Sequence, residues 1–101
     1  MAHIGVRVQL PYNDGDPIAQ LGEGGGELHG LLPWQDAVDY PYLRYIAPYD
    51  NTTFSYLQMA AVIPELRRLA EANSSDVLDR VVELAELCEA TPGSYLVFVG
   101  D

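Results

Sequence analysis

The first apolar pattern along the chain is an alternation. Between residues 4 and 10 every second position is Ile, Val or Leu, and Gly, Arg or Gln stands between them. A period of two is typical of a strand with one buried and one solvated face. Residues 95–99, by contrast, are apolar without interruption, which is typical of a strand buried on both sides. We expect 95–99 to lie centrally in a small sheet, with 4–10 as its neighbour.

Two weaker patterns also favour strands. Residues 28–32 read Leu-His-Gly-Leu-Leu and could form a short strand after a glycine-rich stretch. Residues 42–47 lie between Pro41 and Pro48, and proline is tolerated at edge strands. The sequence therefore predicts a short strand over 28–32 and an edge strand over 42–47.

A helix is predicted over residues 55–72. Ser55 and Gln58 have the spacing of a capping box, which marks the start of a helix. Pro64 falls on the outward side of this helix, so we expect a bend there without a break. The apolar face that recurs at helical spacing comprises Met59, Val62, Ile63, Leu66, Leu69 and Ala70.

A second helix, predicted over residues 76–90, carries carboxylates along one side. At about 100° per residue these acidic side chains lie opposite the apolar ones. Asp76 and Arg80 have the spacing of an ion pair worth roughly a few tenths of a kcal/mol. The apolar side comprises Val77, Val81, Leu84, Ala85 and Cys88. We call the opposite side the acidic ridge, and it consists of Asp76, Asp79, Glu83 and Glu86.

Together these elements predict one α+β domain over residues 1–101. A chain of 101 residues is a single domain on length alone. A chain of this size buries roughly two-thirds of its unfolded surface, which suffices for one core. The predicted sheet is small and mostly antiparallel, with three or four strands, and two antiparallel helices pack on one of its faces.

The charge of the chain disfavours several kinds of partner. Fifteen acidic residues stand against five arginines and no lysine, which gives a net charge of −10. Such a chain repels the phosphates of nucleic acid and an anionic membrane surface. The same field would steer a basic protein toward it and speed the encounter. The simpler alternative is that the acidity only keeps the protein soluble.

The single cysteine and the apolar runs bear on the compartment. One Cys excludes an internal disulfide and fits a reducing environment. Residues 1–8 lack the basic start and apolar run of a signal peptide, and no apolar stretch approaches the ~20 residues of a membrane span. We expect a cytoplasmic protein in which Cys88 is a buried, inert thiol.

Candidate sites for chemistry are weak. Residues 13–16 resemble a calcium loop but lack its closing bidentate carboxylate, and the Gly-rich run 22–30 lacks the Lys-Ser/Thr of a phosphate-binding loop. His3 and His29 do not have the sequence spacing of zinc ligands. Carboxylates on a water-exposed ridge lack the desolvation that acid catalysis requires. We therefore predict no cofactor, no metal site and no enzymatic activity.

Aromatic residues concentrate between residues 34 and 56. This segment, the aromatic belt, contains the only Trp and five of the seven Tyr. Trp and Tyr are enriched at the centres of protein interfaces, where they bring large contact area with little rotamer entropy. We therefore expect Trp34, Tyr40 and Tyr49 to contact a partner together with the acidic ridge. One alternative is that Trp34, Tyr42, Tyr45 and Phe54 fill the core under the helices, and another is that the ridge is only a solvated face.

The order of signals from Tyr42 onward is distinctive: YLRYIAPYDNTTFSYLQM, then IPEL, LAELC and YLVFVGD. In this layout the chain resembles small, acidic, uncharacterised bacterial proteins, and in size and charge it is similar to immunity proteins that neutralise polymorphic toxins. That resemblance implies a cytoplasmic protein that blocks the active site of one cognate toxin with an acidic surface. We therefore expect stoichiometric inhibition of a basic partner protein, such as a toxin or nuclease. The alternative is a structural or regulatory module that self-associates through the aromatic belt as a homodimer.

Overall fold

Both strands and helices are present in a computed structural model that describes residues 4–10, 17–21, 27–33, 38–47 and 49–100. The α+β class predicted from the sequence is confirmed. Single 3₁₀ turns cover Leu43–Tyr45 and Tyr56–Gln58. In chain order the regular elements are β1 (Ile4–Gln9), β2 (Ala19–Leu21), α1 (Glu27–Leu31), β3 (Asn51–Ser55), α2 (Met59–Asn73), α3 (Asp76–Glu89) and β4 (Tyr95–Gly100).

The strands form one antiparallel sheet in the order β2-β1-β4-β3. β1 and β4 pair along their whole length, from Ile4 opposite Gly100 to Gln9 opposite Tyr95. β2 adds to the other side of β1, and β3 adds to the other side of β4. Both expectations about the central strands are therefore confirmed: they are neighbours, and the C-terminal strand lies inside the sheet.

One face of the sheet is buried under the helices. Ile4, Val6 and Val8 of β1 are buried, and they point to the same side as Leu96 and Phe98 of β4 because the paired residues face each other across the ladder. α3 contacts β1, β2 and β4, and α2 packs on α3. The alternation of apolar and polar residues in β1 thus corresponds to a buried and a solvated face, as predicted.

The other face of β4 is only partly covered. Val97 is 7% exposed, whereas Tyr95 and Val99 on either side of it are half-buried. The prediction of a strand buried on both sides therefore holds at its centre and is wrong towards its ends, because the two long helices pack on the opposite face of the sheet.

The two long helices begin and end within one residue of the predicted bounds 55–72 and 76–90, if the 3₁₀ turn before α2 is counted. The capping box is present, with Ser55 and Gln58 exchanging side-chain-to-backbone hydrogen bonds. α2 continues past Pro64, whose ring is exposed. Between the helices, Ser74 adopts the left-handed conformation with φ 47°, and the side chain of Ser75 caps α3.

The predicted short strand over residues 28–32 is wrong. These residues belong to α1 and the position that follows it. Leu28, Leu31 and Leu32 recur at helical spacing, and Leu28 and Leu32 are buried. The leucines can enter the core together only if the segment is helical.

The predicted edge strand over residues 42–47 is also wrong. This segment contains a 3₁₀ turn, and β3 occupies the edge of the sheet instead. The backbone N–H groups of Tyr42 and Leu43 donate to the carboxylate of Glu65 on α2, so they are not available to a strand ladder. A contact from a distant helix thus decides the local conformation.

Candidate protein-binding surface

The acidic ridge lies on the solvent side of α3. Asp76, Asp79, Glu83 and Glu86 are all exposed. The predicted apolar side is shifted slightly around the helix, because Leu78 is buried while Val77 and Leu84 are half-buried at its margins. The fully buried residues of α3 are Leu78, Val81, Ala85 and Cys88. The helix therefore presents carboxylates to water along the side opposite its core contacts.

Ion pairing divides the ridge into two parts. Arg67 on α2 donates to Glu86 on α3, with Nη2 2.7 Å from Oε2. The prediction of an ion pair between Asp76 and Arg80 is wrong, since these two described side chains form no ion pair with each other. An exposed pair four residues apart gains only a few tenths of a kcal/mol, roughly, and water competes for both groups. Within the described part of the chain, Asp76, Asp79 and Glu83 are left without an ion-pair partner.

A shallow groove of about 720 Å³ runs between α2 and α3 beside the ridge. Its lining carries both signs of charge and is open to solvent, so it provides no desolvated cavity for catalysis. Asp79 belongs both to the groove and to the ridge. The lining residues are Arg67, Arg68, Ala70, Glu71, Ser74, Asp79 and Val82.

The aromatic belt separates into a buried group and an exposed group. Phe54 is buried and contacts the rings of Tyr42 and Phe98, with centroids 6.4 Å and 6.0 Å away. These rings fill the core, which is the alternative weighed from the sequence. Tyr45 and Tyr49 are largely exposed, with 73% of Tyr49 accessible to solvent. Among the described aromatics of the belt, only Tyr45 and Tyr49 have the accessibility of an interface anchor.

The remaining predicted anchors differ in accessibility. Tyr40 is half-buried and packs against the core, and the guanidinium of Arg68 lies 4.9 Å from the centre of its ring. Arg68 also donates to the backbone oxygen of Asp39 at 2.8 Å. One face of Tyr40 is thus already occupied by a cation. Trp34 lies outside the described residues.

Glu65 is the polar residue that the sequence analysis missed. Its side chain is 4% exposed, and it accepts three backbone hydrogen bonds of 3.1–3.2 Å from Tyr42 and Leu43. It therefore ties the 3₁₀ turn to α2. A signal was present in the sequence, because Glu65 stands beside Leu66 and one turn before Leu69 on the apolar side of the helix.

The groups that could carry chemistry are few in the part of the chain that is described. No cluster of three or more His, Cys, Asp or Glu side chains there could hold a metal ion. Burial raises the pKa of the Cys88 thiol, more than the hydrogen bond from Ser94 lowers it. A buried neutral thiol is a poor nucleophile. His3, the turn 13–16 and the glycines of 22–26 lie outside the described residues.

Comparisons with known proteins identify no relative of this chain. No protein family matches the chain, and neither does any curated protein or solved structure with which it was compared. In the described residues no helix is both long and apolar enough to cross a membrane.

Proposed function

We propose that this protein is a stoichiometric inhibitor that binds a basic partner protein, in the manner of an immunity protein, without catalysing a reaction. One observation carries the proposal: Asp76, Asp79 and Glu83 project into solvent from one side of α3 with no ion-pair partner among the described residues. A toxin or nuclease with Lys and Arg around its active site has the complementary charge. In this proposal the inhibitor acts in the cytoplasm, where such a toxin would do harm.

The acidic ridge would act mainly during association. Unpaired carboxylates on a molecule of net charge −10 attract a basic surface before contact and raise the association rate. Exposed rim charges contribute little to the lifetime of a complex, so an anchor that excludes water is also needed. Tyr49 is the most accessible of the predicted anchors that the structure describes, with Tyr40 and Trp34 as the other predicted contacts.

The experiment begins with affinity capture of partners from the source cell, followed by measurement of association rates with the captured protein. Asp79→Asn with Glu83→Gln removes two ridge charges and should lower the association rate about tenfold at low salt. The matched control is Gln20→Lys with Thr53→Lys, which changes the net charge equally at two exposed positions on the solvated face of the sheet. If both variants lowered the association rate equally relative to the wild type, net charge would matter and the position of the charges on the ridge would not.

A second candidate function is supported by the exposure of apolar side chains. Tyr45, Tyr49 and Leu57 are each about two-thirds exposed or more. Such residues can mark a surface that a second copy covers, and the protein would then be a self-associating structural or regulatory module. Light scattering at micromolar concentration distinguishes the two proposals, because a stable homodimer favours the module and a monomer favours the inhibitor.

A further inference from the structure

The outer edge of β3 is the part of the sheet where another strand could add. Two backbone hydrogen bonds at the ends of the β3–β4 ladder show which residues pair by hydrogen bonds. Gly100 N–H donates to the backbone oxygen of Asp50 at 2.9 Å, and Tyr56 N–H donates to the backbone oxygen of Ser94 at 3.0 Å. In an antiparallel ladder every second residue is hydrogen-bonded to the neighbouring strand. The residues between those pairs, which are Asn51, Thr53 and Ser55, therefore direct their backbone groups away from β4.

Two of these three outward N–H groups are already occupied. Asn51 N–H donates to Asp50 Oδ1 at 2.8 Å, and Ser55 N–H donates to Gln58 Oε1 at 2.7 Å. Thr53 lies between them, and its N–H has no acceptor in the part of the chain described here. The outer edge of β3 thus presents one available N–H donor, that of Thr53. The outward N–H groups on either side of it already donate to side-chain oxygens.

We propose that Asp50 and Gln58 close the edge of β3 against strand pairing with a second copy of this chain. A two-fold β3–β3 pairing centred on Thr53 would place Asn51 of each copy opposite Ser55 of the other. Both of those N–H groups would first have to leave their side-chain acceptors. Natural sheets protect their edges because unpaired strands are templates for association. The other edge, β2, has only three residues and offers a poor template.

This assignment gives Gln58 a second role. In the capping box it accepts from the N-cap backbone, and that N-cap residue, Ser55, is also the last residue of the edge strand. The hydrogen bond from Ser55 N–H to Gln58 Oε1 therefore caps the start of the helix and also occupies the last outward donor of the edge strand. The proposal is independent of the partner proposed above, because it concerns the sheet edge and not α3.

The decisive variant is Asp50→Ala with Gln58→Ala, which frees both donors. We expect it to dimerise at least about tenfold more tightly than the wild type in sedimentation equilibrium, since each copy regains two intermolecular hydrogen bonds. The matched control is Asp50→Asn with Ser55→Ala. It has the same net charge and also loses half of the capping box, but it keeps both side-chain acceptors, and it should self-associate no more tightly than the wild type.

A second measurement does not depend on the stability of the double variant. In the wild type, backbone amide exchange should be slower at Asn51 and Ser55 than at Thr53, and Asp50→Ala alone should accelerate exchange at Asn51. A folded double variant that dimerises no more tightly than the control would overturn the proposal. Exchange at Asn51 and Ser55 as fast as at Thr53 would overturn it as well.

Discussion

Arg67 on α2 and Glu86 on α3 form an ion pair that joins the two long helices, and their side chains remain 59% and 48% exposed. The pair neutralises the C-terminal end of the acidic ridge and leaves the N-terminal part unpaired. Because both groups are well solvated, their attraction is screened by water and salt. The pair therefore affects the charge pattern of the surface more than the stability of the fold.

Replacing Arg67 should test this distinction. We expect Arg67→Ala to change the free energy of unfolding by less than about 1 kcal/mol, because exposed ion pairs contribute little. A double-mutant cycle with Glu86→Ala, measured by urea denaturation, isolates the coupling between the two side chains. A coupling of several kcal/mol would contradict this account of the ridge.

Replacing Glu65 should be far more costly than replacing an exposed carboxylate. Glu65→Ala leaves the N–H groups of Tyr42 and Leu43 without their buried acceptor, and we expect a loss of about 2–4 kcal/mol in the free energy of unfolding. Glu71→Ala, at an exposed position of the same helix, is the control and should cost within about 0.5 kcal/mol. Similar losses in the two variants would mean that Glu65 does not anchor the turn.

Ser74 is a position where glycine should be better than the native residue. Its left-handed backbone, with φ 47° and ψ 48°, is unfavourable for a residue with a Cβ. Ser74→Gly should raise the free energy of unfolding by about 0.5–1 kcal/mol. Ala72→Gly, inside the helix, should lower it by a similar amount in thermal denaturation. A destabilised Ser74→Gly variant would show that the serine side chain is needed there.

The buried thiol of Cys88 should make stability depend on alkaline pH. Burial raises its pKa from the ordinary value of 9.0, so the folded state retains this proton more strongly than the unfolded state. The resulting stabilisation is complete below pH 9.0 and is lost as the pH rises through the folded-state pKa. The stability difference between wild type and Cys88→Ala should therefore shrink above pH 9.0. A difference that stays constant up to the alkaline limit of folding would contradict this.

The parts of the fold that sequence patterns predicted share a long, regular apolar period. α2 and α3 have about four turns each, and β1 alternates over six residues, so each pattern is repeated often enough to define a face. α1 spans only five residues, and so few positions cannot distinguish a helix from a strand. β3 was missed because its sequence, Asn-Thr-Thr-Phe-Ser, buries a single residue, Phe54.

The candidate binding surface, like the fold, was predictable only in part from the sequence. Helical spacing alone places Asp76, Asp79 and Glu83 on the exposed side of α3. The pairing of Glu86 with Arg67 depends on how two helices pack, and residues 19 positions apart carry no local signal of it. The aromatic belt could not be divided into buried and exposed rings from composition, because the same Tyr suits a core or an interface.

The pairing of β1 with β4 has a consequence for biosynthesis. Ile4 lies opposite Gly100, so the centre of the sheet joins segments from almost opposite ends of the 101 residues. On the ribosome, the local hairpin of α2 and α3 can pack early, whereas β1 has no central partner until β4 has been translated. Contacts of such high sequence separation slow folding. Between the translation of β1 and that of β4, the nascent chain therefore carries β1 without its central strand partner, and chaperones would recognise the exposed apolar residues during this interval.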